Sequence, residues 1–268
     1  MPYGIQQPTV SAQVNALERD LGVTLYQRRP FKLTPAGEEL FKYVEPFFGK
    51  MTEVRQKICG AAQIRVGASP IVFRDYLPPV LEAVRQKCRD LNMVLRALNQ
   101  PELIEAIEQD ELDVVISLIP DKLSPVLRSV DIISLPLVLL LPKDSKIKSA
   151  KDLWRGATVT ERLISLKPNE LICQVFQQTL TKLGVAWLPK IEMDSLDLIE
   201  KYVETGFGVG LSVRVPQKKF PSTIRVIELL DFPSVRLGAI FRESNSESRI
   251  GRAFLEEVSR QAERLSQK

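Results

Sequence analysis

Histidine is absent from all 268 residues. Without imidazole there is no Ser-His-Asp triad, no Cys-His dyad, no histidine zinc site and no imidazole general base, which argues against a conventional hydrolase. Cysteine is scarce as well. Cys59, Cys88 and Cys173 stand far apart with no CxxC pair, a pattern that gives no support to a zinc ribbon, a thioredoxin-like site or a disulfide scaffold and suits a reducing cytosol. Long apolar runs are missing too. The longest, Leu137 to Leu141 between Pro136 and Pro142, is far too short to cross a bilayer. The first fourteen residues lack the charged and apolar regions of a secretory signal. The net charge is only +4. What is present, 44% hydrophobic and 26% charged residues, is ordinary globular composition, and about 100–200 residues per domain points to two compact units. The expectation is a soluble cytoplasmic protein with no membrane partner and no cofactor.

The first sixty residues read as helix, hairpin and long helix. Val10, Val14, Leu17 and Leu21 follow spacings of four, three and four along one helical face, and Gly22 stands where a helix ends. Val23 to Tyr26 and Phe31 to Thr34 flank Gln27-Arg28-Arg29-Pro30 as a small two-stranded wing. Thr34-Pro35 then opens another helix as cap and first residue. Leu40, Val44, Phe47, Phe48 and Met51 form an apolar stripe along it, on a rod of roughly 36 Å at about 1.5 Å per residue. Such a stripe has no nearby core to cover it, so this helix is expected to join subunits in a homodimer or homotetramer. Pro46 is expected to kink it.

From Gln63 onward strands and helices alternate. Strands are expected at Ile64–Ser69, Met93–Leu98, Asp113–Leu118, Leu137–Leu141, Ala157–Val159, Lys190–Glu192, Gly208–Val213 and Val235–Phe241. Helices are expected at Tyr76–Arg89, Pro101–Gln109, Lys151–Leu153, Glu170–Leu183, Leu196–Glu204 and Glu247–Leu265. This βαβ rhythm implies mainly parallel sheets covered by helices, in two similar units without a sequence repeat. The basic run Lys143 to Lys148 reads as a crossover between them, with Pro142 and Asp231-Phe232-Pro233 as hinges.

Two groups of residues can carry recognition. Ser11 and Gln13 place short polar side chains on the first helix, able to hydrogen-bond base edges in a major groove. Arg28, Arg29 and Lys32 suit phosphates, although residues 1–60 hold eight basic and six acidic residues, a weak field. In the α/β part, ligands bind outside strand C-terminal ends, where helix N-termini present N–H groups to an anion. Ser69-Pro70, Asn99-Gln100 and Ser117 hold such places, Lys167-Pro168-Asn169 precedes a helix, and Gly208 leads into a strand. The GxGxG spacing of Gly206, Gly208 and Gly210 enters a strand, the opposite polarity to a dinucleotide loop.

The segment Gln7 to Gly37 resembles the second half of the winged helix-turn-helix of LysR-type transcriptional regulators. That family's pattern is Gln-Pro-x-x-Ser-x-Gln, Leu-Glu-x-x-Leu-Gly, Leu-Phe-x-Arg and Leu-Thr-x-x-Gly. The matching residues are Gln7, Pro8, Ser11, Gln13; Leu17, Glu18, Leu21, Gly22; Leu25, Tyr26, Arg28; and Leu33, Thr34, Gly37. The resemblance implies that Gln7, Pro8, Thr9, Ser11 and Gln13 read DNA. It implies a partial winged helix-turn-helix at 1–34, a dimerising linker helix at 35–60, and a two-lobed α/β, periplasmic-binding-protein-like effector domain at 61–268. Lobe I would take about 61–142 and 236–268, and lobe II about 143–235. Carried over by position, Ser69, Gln100 and Lys167-Pro168-Asn169 would line the effector cleft. The family has about two helices ahead of this point where this chain has Met1 to Gln6, so a late start or an impaired DNA-binding half is expected. The expected function is a regulator controlled by a small, anionic metabolite. The alternative is a truncated ligand-binding protein that has lost DNA and acts through its effector domain or mixed oligomers. A cysteine-pair redox switch lacks a second cysteine near Cys173.

Overall fold

The computed structural model describes residues 7–28, 31–45, 63–88, 91–154, 159–246 and 248–266. The chain divides into two units, Met1–Ala61 and Ala62–Lys268. The first holds α1 (Gln7–Leu21), the hairpin strands β1 (Tyr26–Arg28) and β2 (Phe31–Leu33), and α2 over residues 35–45. The hairpin is antiparallel, with Tyr26 opposite Leu33.

Its motif residues are tie points. Glu18 on α1 accepts the N–H of Leu25 at 2.6 Å and of Tyr26 at 3.4 Å, which fastens the wing to the helix. Gly22 has φ +67°, and Val23 N–H returns to the Glu18 carbonyl, closing α1 in the left-handed conformation that glycine adopts without strain. Thr34 donates its hydroxyl to the Thr24 carbonyl at 2.6 Å and accepts the N–H of Gly37 at 3.1 Å, so it caps α2 and holds the wing at once. A Cβ on Gly37 would lie 1.9 Å from the Leu25 carbonyl oxygen. Leu25 is buried, while Leu17 and Leu21 of the apolar face are exposed. The expected kink at Pro46 and the stripe residues Phe47, Phe48 and Met51 lie outside the described residues.

The second unit contains two five-stranded sheets of the same design. The first runs β4 (Asn92–Ala97), β3 (Gln63–Ala68), β5 (Val114–Leu118), β12 (Val235–Arg242), β6 (Leu127–Leu135). β4, β3 and β5 are parallel, and β12 is antiparallel to both neighbours. The second runs β9 (Pro189–Met193), β8 (Leu163–Leu166), β10 (Val209–Val213), β7 (Leu137–Pro142), β11 (Ile224–Glu228), again three parallel strands followed by two antiparallel ones. Helices α3 (Pro70–Asp75), α4 (Pro78–Lys87) and α10 (Arg249–Ser266) belong with the first sheet, as do α5 (Gln100–Glu108) and the short α9 (Glu243–Ser246). Helices α6 (Ala150–Leu153), α7 (Leu171–Lys182) and α8 (Leu196–Glu204) belong with the second.

Several expectations need correction. Leu137–Pro142 pairs with β10 and β11, so the first lobe ends near Pro136, not at 142. Pro136 is the first crossover, and residues 229–234, which include the expected Asp231-Phe232-Pro233, form the second. The Lys143 to Lys148 run stays within the second lobe, where Lys143 N–H meets the Thr223 carbonyl. The helix expected over Tyr76–Arg89 runs over Pro78–Lys87, since Pro78 and Pro79 suit its first turn, where no N–H is needed; the short α3 before it was not expected. Of the strand expected at Ala157–Val159, two residues lie outside the described part and Val159 is irregular; the strand is Leu163–Leu166. β6 and β11 were not expected.

The second lobe's core closes around rings. Phe176 on α7 stacks on Phe232 at 5.4 Å, and Trp154 meets Trp187 edge-on at 5.9 Å. Since Phe232 lies in the second crossover, this cluster anchors the passage between sheets. In the first lobe Arg65 is buried on β3 but satisfied: its guanidinium pairs with Asp113 at 2.8 Å and donates to the Asp110 carbonyl at 2.6 Å. Cys173 is buried in α7, where its Sγ donates to the Leu166 carbonyl and burial pushes the thiol up to about 11.

Two outcomes follow. Thr34→Ala lowers stability by about 1 kcal/mol through the lost cap, and Gly37→Ala by about 1–3 kcal/mol through overpacking, both read by urea unfolding. In a Cys59→Ser background no thiol reacts rapidly with Ellman's reagent in the native protein, because Cys88 and Cys173 are both buried away from the reagent; both react after unfolding.

Candidate effector cleft and DNA-reading segment

All six parallel strands deliver their C-terminal ends to one cavity of about 420 Å³ between the two sheets. Ser69 follows β3, Asn99 and Gln100 follow β4, and Ser117 lies at the end of β5. Lys167 follows β8, Asp194 and Ser195 follow β9, and Val213 and Val215 mark the end of β10. A βαβ unit aims its strand ends and its helix N-termini the same way. Two such units joined by two crossovers therefore face each other across a cleft. The volume lies within the roughly 300–1,000 Å³ of small-molecule sites.

Of the effector residues expected from the sequence, Ser69, Pro70, Asn99, Gln100, Ser117 and Lys167 line this cavity. Pro168, Asn169 and Gly208 lie off its wall. Pro168 and Asn169 are exposed on the turn closed by Glu170 N–H to the Lys167 carbonyl, and the Asn169 carbonyl accepts from Gln174. Gly208 packs on the backbone of Arg162, whose carbonyl oxygen a Cβ would meet at 2.3 Å; its place is structural. Tyr76, Glu102, Glu170, Asp194, Ser195 and Asp197 were not expected. Ser195 was readable: like Asn99 it follows a parallel strand and precedes an amphipathic helix, whose Leu198 N–H it accepts. Glu170 had no signal: it is a buried glutamate at the head of α7 whose side chain caps no helix N–H.

Charges on the wall are internally matched. Lys167 and Asp194 pair at 2.6 Å, which holds the lysine above its ordinary pKa. Asn99 and Glu102 form a reciprocal capping box at the start of α5, with Asn99 N–H donating to Glu102 at 3.1 Å and Glu102 N–H to Asn99 at 3.0 Å. Across the lobes, Arg74 on α3 reaches Asp197 on α8 at 2.8 Å, and Glu170 at the head of α7 faces the backbone N–H of Gln100 at the head of α5. Burial pushes the Glu170 carboxyl up, against the pull of that N–H. Lys218 joins Asp197 and Glu200 at the same rim. Among the described residues no group of three or more His, Cys, Asp or Glu is placed to hold a metal, and no helix is long and apolar enough to cross a membrane.

In the first unit the expected DNA-reading residues Gln7, Pro8, Thr9, Ser11 and Gln13 fall on α1, with Gln13 exposed, and Lys32 is exposed on β2. The side chains of Gln7, Pro8, Thr9, Ser11 and Arg28, and the whole of Arg29, lie outside the described residues. Leu40 and Val44 are half-buried on α2.

Comparison with known proteins places both units. The family described as LysR substrate binding domain matches residues 60–263, and the bacterial regulatory helix-turn-helix protein, lysR family, matches residues 3–38. The RuBisCO operon transcriptional regulator of Allochromatium vinosum is 23% identical over 273 residues, covering 97% of this chain and 89% of that protein. The transcriptional dual regulator GltC of Bacillus subtilis is 23% identical over 250 residues, covering 89% and 82%. In fold, the crystal structure of HinK, a LysR family transcriptional regulator from Pseudomonas aeruginosa, superposes with a TM-score of 0.61 over 96% of this chain and 89% of that one, at 23% identity. These are regulators rather than enzymes. With a helix-turn-helix match ahead of a substrate-binding-domain match that spans most of its length, this chain belongs to the LysR family of bacterial transcriptional regulators.

Proposed function

We propose that this regulator binds DNA through residues 1–34 and assembles through the helix of residues 35–60. Its effector domain, 61–268, changes state when a small molecule occupies the cleft. In this reading Gln7, Pro8, Thr9, Ser11 and Gln13 face base edges and Arg28, Arg29 and Lys32 face phosphates. Leu40, Val44, Phe47, Phe48 and Met51 form the subunit seam. Ser69, Pro70, Asn99, Gln100, Ser117 and Lys167 contact the effector. The observation that carries it is a cavity walled by strand ends of both lobes and bridged by the Arg74–Asp197 ion pair. A molecule seated there touches both lobes together and favours whichever lobe arrangement it binds better. An anionic effector would meet one lysine on the wall, Lys167, which Asp194 already engages. The protein acts where its DNA is, in the cytoplasm.

DNA affinity tests this reading. With a 30-base-pair duplex, binding followed by fluorescence anisotropy falls steeply as salt rises, and Lys32→Ala lowers the slope of log K against log salt by about 0.9, one phosphate contact. Absence of salt-dependent binding would favour the ligand-binding protein that no longer contacts DNA. Replacing Phe47 and Phe48 together by glutamate dissociates the assembly in sedimentation velocity; an unchanged mass refutes that seam.

A further inference from the structure

We propose that the cleft takes an uncharged, largely apolar molecule with one hydrogen-bonding end, rather than a small organic anion; this rests on the reading of the cleft as the effector site.

The charges on the wall carry the argument. Five charged residues line the cavity, and four of them are acidic: Glu102, Glu170, Asp194 and Asp197 against Lys167. Four of the five have a partner within the chain. Lys167 and Asp194 hold each other, Asp197 is held by Arg74 and Glu102 by the N–H of Asn99, while Glu170 faces the N–H of Gln100. The cations nearest the rim, Arg74 and Lys218, are likewise engaged, Arg74 by Asp75 and Asp197, Lys218 by Asp197 and Glu200. An anion entering here would find no uncommitted cation among the described residues. It would have to break one of these pairs, and it would meet a wall of net negative charge while losing its own hydration.

Two of the helix N-termini, which elsewhere receive anions, are already capped by the protein. At α5, Asn99 accepts the N–H of Glu102, Pro101 has none to offer, and the Glu170 carboxyl faces that of Gln100. At α8 the Ser195 hydroxyl accepts Leu198 N–H. At α5 a carboxyl of the protein thus already stands where an effector carboxylate would sit.

What the cavity offers freely is apolar surface. Ile71, Leu98, Ile116, Ile133, Leu196 and Val213 come from both lobes. Such surface favours a ligand that buries hydrocarbon. Among the described residues the hydroxyls of Ser69 and Ser117 and the side-chain amide of Gln100 have no hydrogen-bond partner, and all three belong to the first lobe's strand ends. They suit a single neutral polar group at one end of the molecule.

The test uses the full chain and the neutral, apolar fluorophore N-phenyl-1-naphthylamine. The expected result is a saturable rise in fluorescence at one equivalent, with Kd changing less than twofold between 50 and 500 mM NaCl. Leu196→Glu on one wall and Ala97→Trp on the other each weaken binding at least tenfold while leaving the circular dichroism spectrum unchanged. Ala97 is exposed on an edge strand, so its replacement spares the core. No saturable binding, or binding that survives both substitutions, overturns the proposal. So does calorimetric binding of benzoate, succinate or inorganic phosphate that falls steeply with salt and is abolished by Lys167→Ala. That last outcome leaves the regulator reading intact, whereas loss of salt-dependent DNA binding strikes that reading and not this one.

Discussion

The double passage of the backbone between the two sheets is the constraint on which the effector domain rests. Pro136 carries the chain from β6 into β7, and residues 229–234 carry it back from β11 into β12. Each sheet therefore borrows a strand that follows a crossover, and both end with the same order of three parallel and two antiparallel strands. Because the return is fixed by Phe232 stacked on Phe176, the C-terminal edges of the two parallel triplets are held facing each other. The cavity, its polar rim and the Arg74–Asp197 pair that bridges it are consequences of that arrangement.

A cleft built this way has two kinds of surface. Strand ends and helix caps supply polar groups at the rim, while the residues just inside the sheets supply hydrocarbon. Here the polar groups largely satisfy one another. The exposed pair Arg74–Asp197 adds little stability at a solvated rim, but it joins α3 to α8, elements of different lobes, and so bears on the equilibrium between lobe arrangements more than on the fold. The buried Glu170 stands at greater depth, where the head of α7 faces the head of α5.

Much of this was legible in the sequence, and the misses have common causes. The strands buried on both faces, β3, β5 and β10, read as apolar runs between turn signals. β6 and β11 did not, since LRSVDIISL and IRVIE mix charged with apolar residues and sit at sheet edges; pairing with a distant strand, not propensity, makes them strands. The same cause misplaced the first crossover, because Leu137–Pro142 is equally apolar in either sheet. In the site, Ser69, Asn99, Gln100 and Lys167 were found from the rule that ligands meet strand C-terminal ends. Ser195 obeyed the same rule and was overlooked.

By itself the sequence determined the local devices: the caps at Thr34 and Asn99, the helix stop at Gly22, the wing, and the parallel α/β rhythm, because each depends on neighbours within a few residues along the chain. The ordered motif from Gln7 to Gly37 also carried the family. Only the tertiary structure decided which strands share a sheet, where the chain crosses, and what charge remains in the cleft. Arg74 and Asp197 stand 123 residues apart in sequence, and Glu170 meets Gln100 only when the two lobes face each other. Electrostatic pairing follows distance in space, which local residue pattern does not encode.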